Sequence, residues 1–78
     1  MNKIYLLQFL PNTNPATYTI GAYSSIENIL QIDTEKEFDL KDGTYQIVGF
    51  ILDSTKARPF KIKKVNENGE ALNWEDYE

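Results

Sequence analysis

Apolar and polar side chains alternate along most of this 78-residue chain, and the alternation gives way to a helical spacing at one place. A period of two is typical of β-strands, in which successive side chains point to opposite faces of a sheet. At Ile26, Ile29 and Leu30 the apolar residues instead share one face of a helix. The pattern predicts one short helix, from about residue 25 to residue 32, set among strands.

Ser24 and Glu27 indicate where this helix begins. A serine followed three residues later by a glutamate has the form of a capping box, in which each side chain bonds a backbone N–H that the helix leaves free. A helix of about two turns is unstable alone in water. It must therefore pack on a sheet.

About five or six strands are predicted around the helix. Strands 3–10 and 17–23 flank a loop rich in proline and asparagine and are expected to form an antiparallel hairpin. Strand 45–52 is apolar on both faces, and Gly49 within it predicts a bulge or the close approach of the helix. The remaining predicted strands are a short one around Phe38 and Leu40, strand 60–65 with Phe60 and Ile62 facing in and Lys61 and Lys63 facing out, and strand 71–74 after a type I′ turn at Asn68 and Gly69.

These elements predict a single domain over residues 1–78. The fold class is α+β, a small and mainly antiparallel sheet with the short helix packed on it. A closed five-stranded barrel with the helix plugging one end would satisfy the same strand spacing. The last few residues are expected to fray.

The composition argues against catalysis. The chain has no cysteine and no histidine, which removes the thiolate nucleophile and the commonest general base and metal ligand. The four glycines are isolated, so they form no phosphate-binding loop. Asp33, Glu35 and Glu37 lack the glycine and terminal glutamate of a helix–loop–helix calcium site. We expect no enzymatic activity, no metal and no cofactor.

The N-terminal segment does not have the pattern of a signal peptide. Its apolar run is interrupted at Gln8 and ends at Pro11, and no cleavage site follows. No segment approaches the roughly 20 apolar residues of a membrane-spanning helix. The sequence therefore predicts a soluble cytoplasmic protein that does not contact a membrane.

Charge is distributed in blocks along the second half of the chain, whose overall net charge is −4. Residues 33–42 hold five acidic side chains and two lysines. Residues 53–64 hold five basic side chains and one aspartate, and residues 65–78 hold five acidic side chains and no basic one. Each block has both a functional and a purely structural interpretation.

Carboxylates spaced along a small rigid scaffold can imitate phosphates and occupy the nucleic-acid site of another protein. Ordinary solubility is the simpler explanation of a modest negative charge. Trp74 and Tyr77 lie in the acidic C-terminal stretch, where amphipathic aromatic residues are typical of interfaces, although Trp74 would equally well close the core. The predicted partner-binding residues are Asp33, Glu35, Glu37, Asp39, Trp74, Glu75, Asp76 and Tyr77.

The basic block also admits two explanations. Its cations surround Phe60 and could follow a phosphate backbone while the ring stacks on a base. Alternatively, the lysines protect an edge strand from aggregation, or the basic strand pairs with an acidic one. The residues of the nucleic-acid alternative are Lys56, Arg58, Lys61, Lys63 and Lys64.

The small size and the use of asparagine, isoleucine and lysine resemble those of small proteins encoded by phages and mobile elements of AT-rich bacteria. This resemblance covers no specific motif, and it implies a role in binding and inhibiting a host protein. The predicted function is a non-enzymatic protein-binding module that inhibits a host nucleic-acid-binding protein through acidic and aromatic residues. Weak nucleic-acid binding by strand 56–64 is the alternative. The chain is expected to be a monomer or a two-fold homodimer paired through an edge strand.

Overall fold

A computed structural model of the chain describes residues 3–77. Glu78, which belongs to the second acidic block, lies outside the described residues. The fold is a five-stranded antiparallel sheet with two short helices, so the predicted α+β class is confirmed. The elements are β1 (Lys3–Pro11), β2 (Tyr18–Tyr23), α1 (Ile26–Leu30), α2 (Thr34–Glu37), β3 (Gly43–Ile51), β4 (Ala57–Val65) and β5 (Glu75–Asp76).

The strand order is β2-β1-β3-β4-β5, with every neighbouring pair antiparallel. Strands β1 and β3 pair without a register shift from Lys3 opposite Ile51 to Pro11 opposite Gly43. The predicted hairpin of the first two strands is confirmed. Because β2 and β5 form the two edges of the described sheet, the sheet is open and the barrel alternative is wrong.

The two faces of the sheet differ in what covers them. On the face that we call the core face, Leu7 and Phe9 lie opposite Ile47 and Tyr45, and Ile29 of α1 packs on them. All five side chains are at most 2% exposed. On the other side, which we call the open face, apolar residues of β1 and β3 also lie opposite one another, but they do not belong to this core cluster.

The acidic segment 33–42 does not form the predicted strand. Asp33 caps helix α2, and its carboxylate accepts a hydrogen bond from the backbone N–H of Lys36 at 3.3 Å. Phe38 and Leu40 follow the helix and pack against the core from outside the sheet. Their spacing of two predicts a strand, but Asp33 caps a helix that ends just before Phe38, so the backbone reaches Phe38 and Leu40 outside the sheet.

Helix α1 begins one residue later than the capping-box pattern predicts. Ser25 is the N-cap, and its hydroxyl accepts from the backbone N–H of Asn28 at 3.3 Å. The Ser24 hydroxyl instead accepts from the side-chain amide of Asn28. The helix ends at Leu30 and is shorter than predicted.

Strand β4 has one extra residue, Phe60, between Pro59 opposite Val48 and Lys61 opposite Ile47, and this bulge reverses the predicted faces of the residues that follow it. Lys61 lies opposite Ile47 and Lys63 opposite Tyr45, so both lysines are on the core face. One extra residue in a strand shifts every later side chain to the other face, which is why simple alternation placed the lysines outward.

Gly49 makes room for an aromatic ring and not for the helix. A Cβ atom at this position would overlap the ring of Phe60 and would lie 3.2 Å from Cε1 of Tyr5. The two rings meet edge to face, with centroids 5.6 Å apart. The predicted close approach is thus present, but a different element makes it.

The turn after β4 differs from the predicted type I′ turn. Gly69 has a positive φ of 82°, and Asn68 does not share it. The N–H of Asn66 donates to the carbonyl of Glu70 at 3.0 Å, which closes a three-residue loop in which a glycine takes the left-handed position. The returning chain makes one bridge, between Val65 and Ala71.

The final strand forms later than predicted. It lies at Glu75–Asp76 and not at 71–74. These two residues were expected to fray, but they pair with Ile62 and Lys61 of β4.

Candidate functional site

The two acidic segments, distant in sequence, lie side by side at one end of the sheet. The carboxylate of Glu35 accepts a hydrogen bond from the backbone N–H of Ala71 at 3.4 Å. The backbone N–H of Asp42 donates to the carbonyl of Asn66 at 2.9 Å. Helix α2 and the turn after β4 therefore form one continuous surface, which the sequence showed only as two separate blocks.

We call this region the acidic surface. Two lysines of the first acidic segment form ion pairs with its carboxylates, and both pairs are long: Lys36 to Asp33 at 3.9 Å and Lys41 to Asp39 at 4.0 Å. Exposed pairs of this kind contribute little to stability, so the carboxylates remain available to a partner. The surface consists of Asp33, Glu35, Glu37, Asp39, Asp42, Glu67 and Glu70.

The acidic surface contains a cleft of about 720 Å³. Asp42, Glu67 and Glu70 line it together with the turn residues around Asn66. Lys64 lines it as well. Asp42 is held in place by the side chain of Asn12, whose amide donates to the Asp42 carboxylate at 2.9 Å. A concave site lined by carboxylates and amide groups suits a basic side chain.

Trp74 covers the core below this surface. Its ring lies 6.5 Å from the ring of Tyr45, and the ammonium of Lys63 lies 5.6 Å from the indole centroid on the other side. The indole Nε1 is buried and has no hydrogen-bond partner. This packing is the core-closing arrangement that the sequence allowed, and a role for Trp74 in binding stays a prediction.

Tyr45 is the central side chain of this end of the core. It is 1% exposed, and its ring contacts those of Phe9, Phe38 and Trp74. Burial raises the pKa of Tyr45 above its usual value, because ionisation would leave a charge without water around it. The phenol therefore stays neutral beneath Phe38 and Trp74, which come from the two acidic segments.

The other predicted partner-binding residues are spread along β5 and its end. Asp76 forms a 2.7 Å ion pair with Lys61, and Glu75 lies opposite Ile62, on the open face. Tyr77 is 51% exposed, and its backbone N–H bonds the carbonyl of Phe60. Segment 33–42 thus lies beside Glu67 and Glu70. Asp76 belongs to an acidic strand that pairs with the basic strand β4.

The basic residues are also divided by the fold. Lys61 forms an ion pair with Asp76, and Lys63 forms a cation–π contact with Trp74. Lys56 and Arg58 instead line a groove of about 550 Å³ at the far end of the core face. Lys3, Tyr5, Gly49 and Phe60 also line this groove, which we call the basic groove.

The guanidinium of Arg58 lies 5.6 Å from the centroid of the Phe60 ring in this groove. Lys3 and Tyr5 were not predicted to belong to a site, because only the pairing of β1 with β3 brings them beside β4. The basic groove and the acidic surface lie at opposite ends of nine-residue strands, about 27 Å apart at the usual rise per residue.

Comparison with known proteins identifies no relative: no protein-family model, no curated protein and no solved structure matches the chain. Among residues 3–77, no helix is long and apolar enough to cross a membrane. Within the same range, no group of three or more acidic side chains is arranged to hold a metal ion.

Proposed function

We propose that this chain is a non-enzymatic protein-binding module whose acidic surface contacts a basic surface of a nucleic-acid-binding protein. The observation that supports this proposal is the joining of the two acidic segments through the Glu35–Ala71 and Asp42–Asn66 hydrogen bonds. Three carboxylates of the acidic surface, those of Asp42, Glu67 and Glu70, line a cleft at this end of the sheet.

A protein that binds nucleic acid presents rows of lysine and arginine to the phosphates. The acidic surface offers carboxylates to the same cations, so its binding would exclude nucleic acid and inhibit the partner. Complementary charge also speeds the encounter between the two proteins. In this proposal the chain acts by occupying a site and carries out no reaction.

A capture experiment with paired variants tests the proposal. The immobilised chain is exposed to nuclease-treated lysate, alongside the variant E37Q/D39N and the control E27Q/D53N. Both variants lose one glutamate and one aspartate charge, but the control residues lie outside the acidic surface. We expect E37Q/D39N to bind the captured protein roughly tenfold more weakly and the control to bind it normally.

Nucleic acid provides the second part of this test. An excess of single-stranded DNA is expected to release the captured protein from the wild-type chain, because both ligands use the same cations. Equal affinity of both variants for the partner would contradict the proposal. A partner that DNA does not displace would contradict the inhibitory mechanism and leave only protein binding.

The basic groove supports a second candidate function, weak binding of single-stranded nucleic acid. Lys3, Lys56 and Arg58 surround Tyr5 and Phe60, a combination that suits phosphates beside a stacked base. We expect K56A/R58A to abolish any binding of a labelled oligonucleotide measured by fluorescence anisotropy. Wild-type affinity should fall steeply with salt. Absence of wild-type binding at low salt, or equal binding by K56A/R58A, would exclude this function.

A further inference from the structure

We infer that the open face binds a second copy of this chain, so that two sheets stack in a two-fold dimer. The face carries apolar side chains from the three long strands. Ile4 lies opposite Phe50, and Leu6 lies opposite Val48. The apolar residues of the face are Ile4, Leu6, Leu10, Val48, Phe50, Pro59 and Ile62.

Val48 is 8% exposed and the other apolar side chains of the open face are half-buried, yet none of them belongs to the core cluster that the helices complete. The helices and the residues around Trp74 join the cluster built on Leu7, Ile29 and Tyr45, which lies on the core face. An antiparallel sheet commonly leaves one face to water, but that face is then polar, so an apolar second face is expected to be covered. A second sheet would supply the missing layer.

The polar groups in the middle of the open face are already bonded to one another. The amide of Gln46 donates to the carbonyl of Gln8 at 2.7 Å, and the amide of Gln8 donates to the hydroxyl of Thr19 at 3.2 Å. These two hydrogen bonds link three strands, and they reduce the free-energy cost of removing the amides from water. Each amide keeps a second N–H, which a glutamine of the other copy can accept.

Charge favours a second copy over a nucleic acid as the occupant. Lys64 and Glu75 are the charged side chains that the described register places on the open face, and they stand at one margin and cancel. A row of cations, which a phosphate backbone needs, is missing from this face in the described part of the chain. A chain of net charge −4 can approach its own copy there without opposing like charges.

The size of the face is sufficient for a stable contact. Three strands of nine residues, one of six and one of two make up the face, and each residue covers about 16 Å² at the usual rise and strand spacing. This footprint is about 500 Å² on each copy, which reaches the roughly 1,000 Å² in total that distinguishes a biological interface from a chance contact.

Sedimentation equilibrium of the purified chain from about 1 to 200 µM tests the inference. We expect a mass approaching twice the chain mass of 9.0 kDa. The variant L6K places an ammonium in the centre of the contact, twice because of the symmetry, and should weaken association roughly 30-fold or more. The control L30K changes a leucine of helix α1 that is 39% exposed on the other side of the sheet, and it should dimerise normally.

Circular dichroism establishes that each variant is folded. If L6K does not fold, Q46E serves in its place. Glutamate has nearly the shape of glutamine, and in the dimer the carboxylates of the two copies would lie close together and repel each other. A wild-type chain that stays monomeric at the highest concentration would overturn the inference. A dimer that survives both L6K and Q46E, or one that L30K dissociates, would also overturn it and place the contact elsewhere.

Discussion

Replacing Gly43 by alanine is expected to lower the free energy of unfolding by about 3 kcal/mol or more. Gly43 is the first residue of β3 and pairs with Pro11 at the end of β1. An added Cβ would lie 2.5 Å from the carbonyl oxygen of Leu10 and would overlap the ring of Phe9. Neither group can yield easily, since the first is backbone of a central strand and Phe9 is 2% exposed.

The matched control for this substitution is G21A, also within a strand. A Cβ at Gly21 would meet the hydroxyl of Tyr23 at 3.0 Å, and that hydroxyl is the far end of a side chain that can turn away. We expect G21A to cost less than about 1 kcal/mol in a urea titration followed by circular dichroism. Equal stability of G43A and the wild-type chain would show that β1 and β3 do not pair in this register.

Replacing Trp74 by alanine is expected to lower the free energy of unfolding by about 2 to 3 kcal/mol, less than for a fully buried tryptophan because this ring is half-buried. The substitution removes contacts with Tyr45 and the cation–π contact with Lys63. For a domain of this size the loss corresponds to a fall in the melting temperature of roughly 10 to 20 °C. Thermal unfolding by circular dichroism measures it directly.

Two further variants separate packing from other causes. Y77A removes an aromatic residue of the same terminal segment that is 51% exposed, and it should leave the melting temperature nearly unchanged. W74F keeps an apolar ring and removes the unpartnered Nε1, so it should be distinctly more stable than W74A. If W74A kept the wild-type melting temperature, Trp74 would be free to act as an interface anchor.

The fold class followed from the sequence because the signals that set it are local. Alternation identified β1, β2 and β3, and the spacing of Ile26 and Ile29 identified α1. The errors arose where a second local signal competed with the periodicity. Asp33 caps helix α2, which ends at Glu37, and the strand predicted around Phe38 and Leu40 does not form.

The faces of β4 could not be derived from its own residues. Their alternation is interrupted by a bulge at Phe60, which is defined only by the pairing with Ile47 and Val48 of β3. The same non-local pairing brings Phe60 against Gly49. The sequence therefore predicts the strand correctly, but it assigns Lys61 and Lys63 to the wrong face of the sheet.

The sequence predicts which segments of the candidate site are acidic or basic, but it does not predict which of them come into contact. The sequence identified two acidic blocks, but their union depends on the turn after β4 meeting Asp42. Likewise Lys56 and Arg58 were recognised as basic, whereas Lys3 and Tyr5 joined them only through the pairing of β1 with β3. Contacts between distant residues determined both outcomes.

The proposed surfaces are compatible with one another. The acidic surface is formed at the end of the sheet where Pro11 meets Gly43, and the open face is the side of the sheet away from the helices. The cleft adjoins the open face at Lys64, whereas helix α2 and its carboxylates lie on the other side and would stay available in a dimer through the open face. Two linked contacts bind more tightly than one when both can be reached at once, so dimerisation would strengthen binding to a partner with repeated sites.

Carboxyl labelling with a carbodiimide and glycine ethyl ester, read by mass spectrometry, tests the proposed acidic surface most directly. The chain is labelled alone and in complex with the captured partner. We predict that Glu37, Asp39 and Glu67 become protected in the complex, whereas Glu27 and Asp53 are labelled equally in both samples. Unchanged labelling of the acidic surface, with protection appearing only at Glu27 or Asp53, would contradict the account.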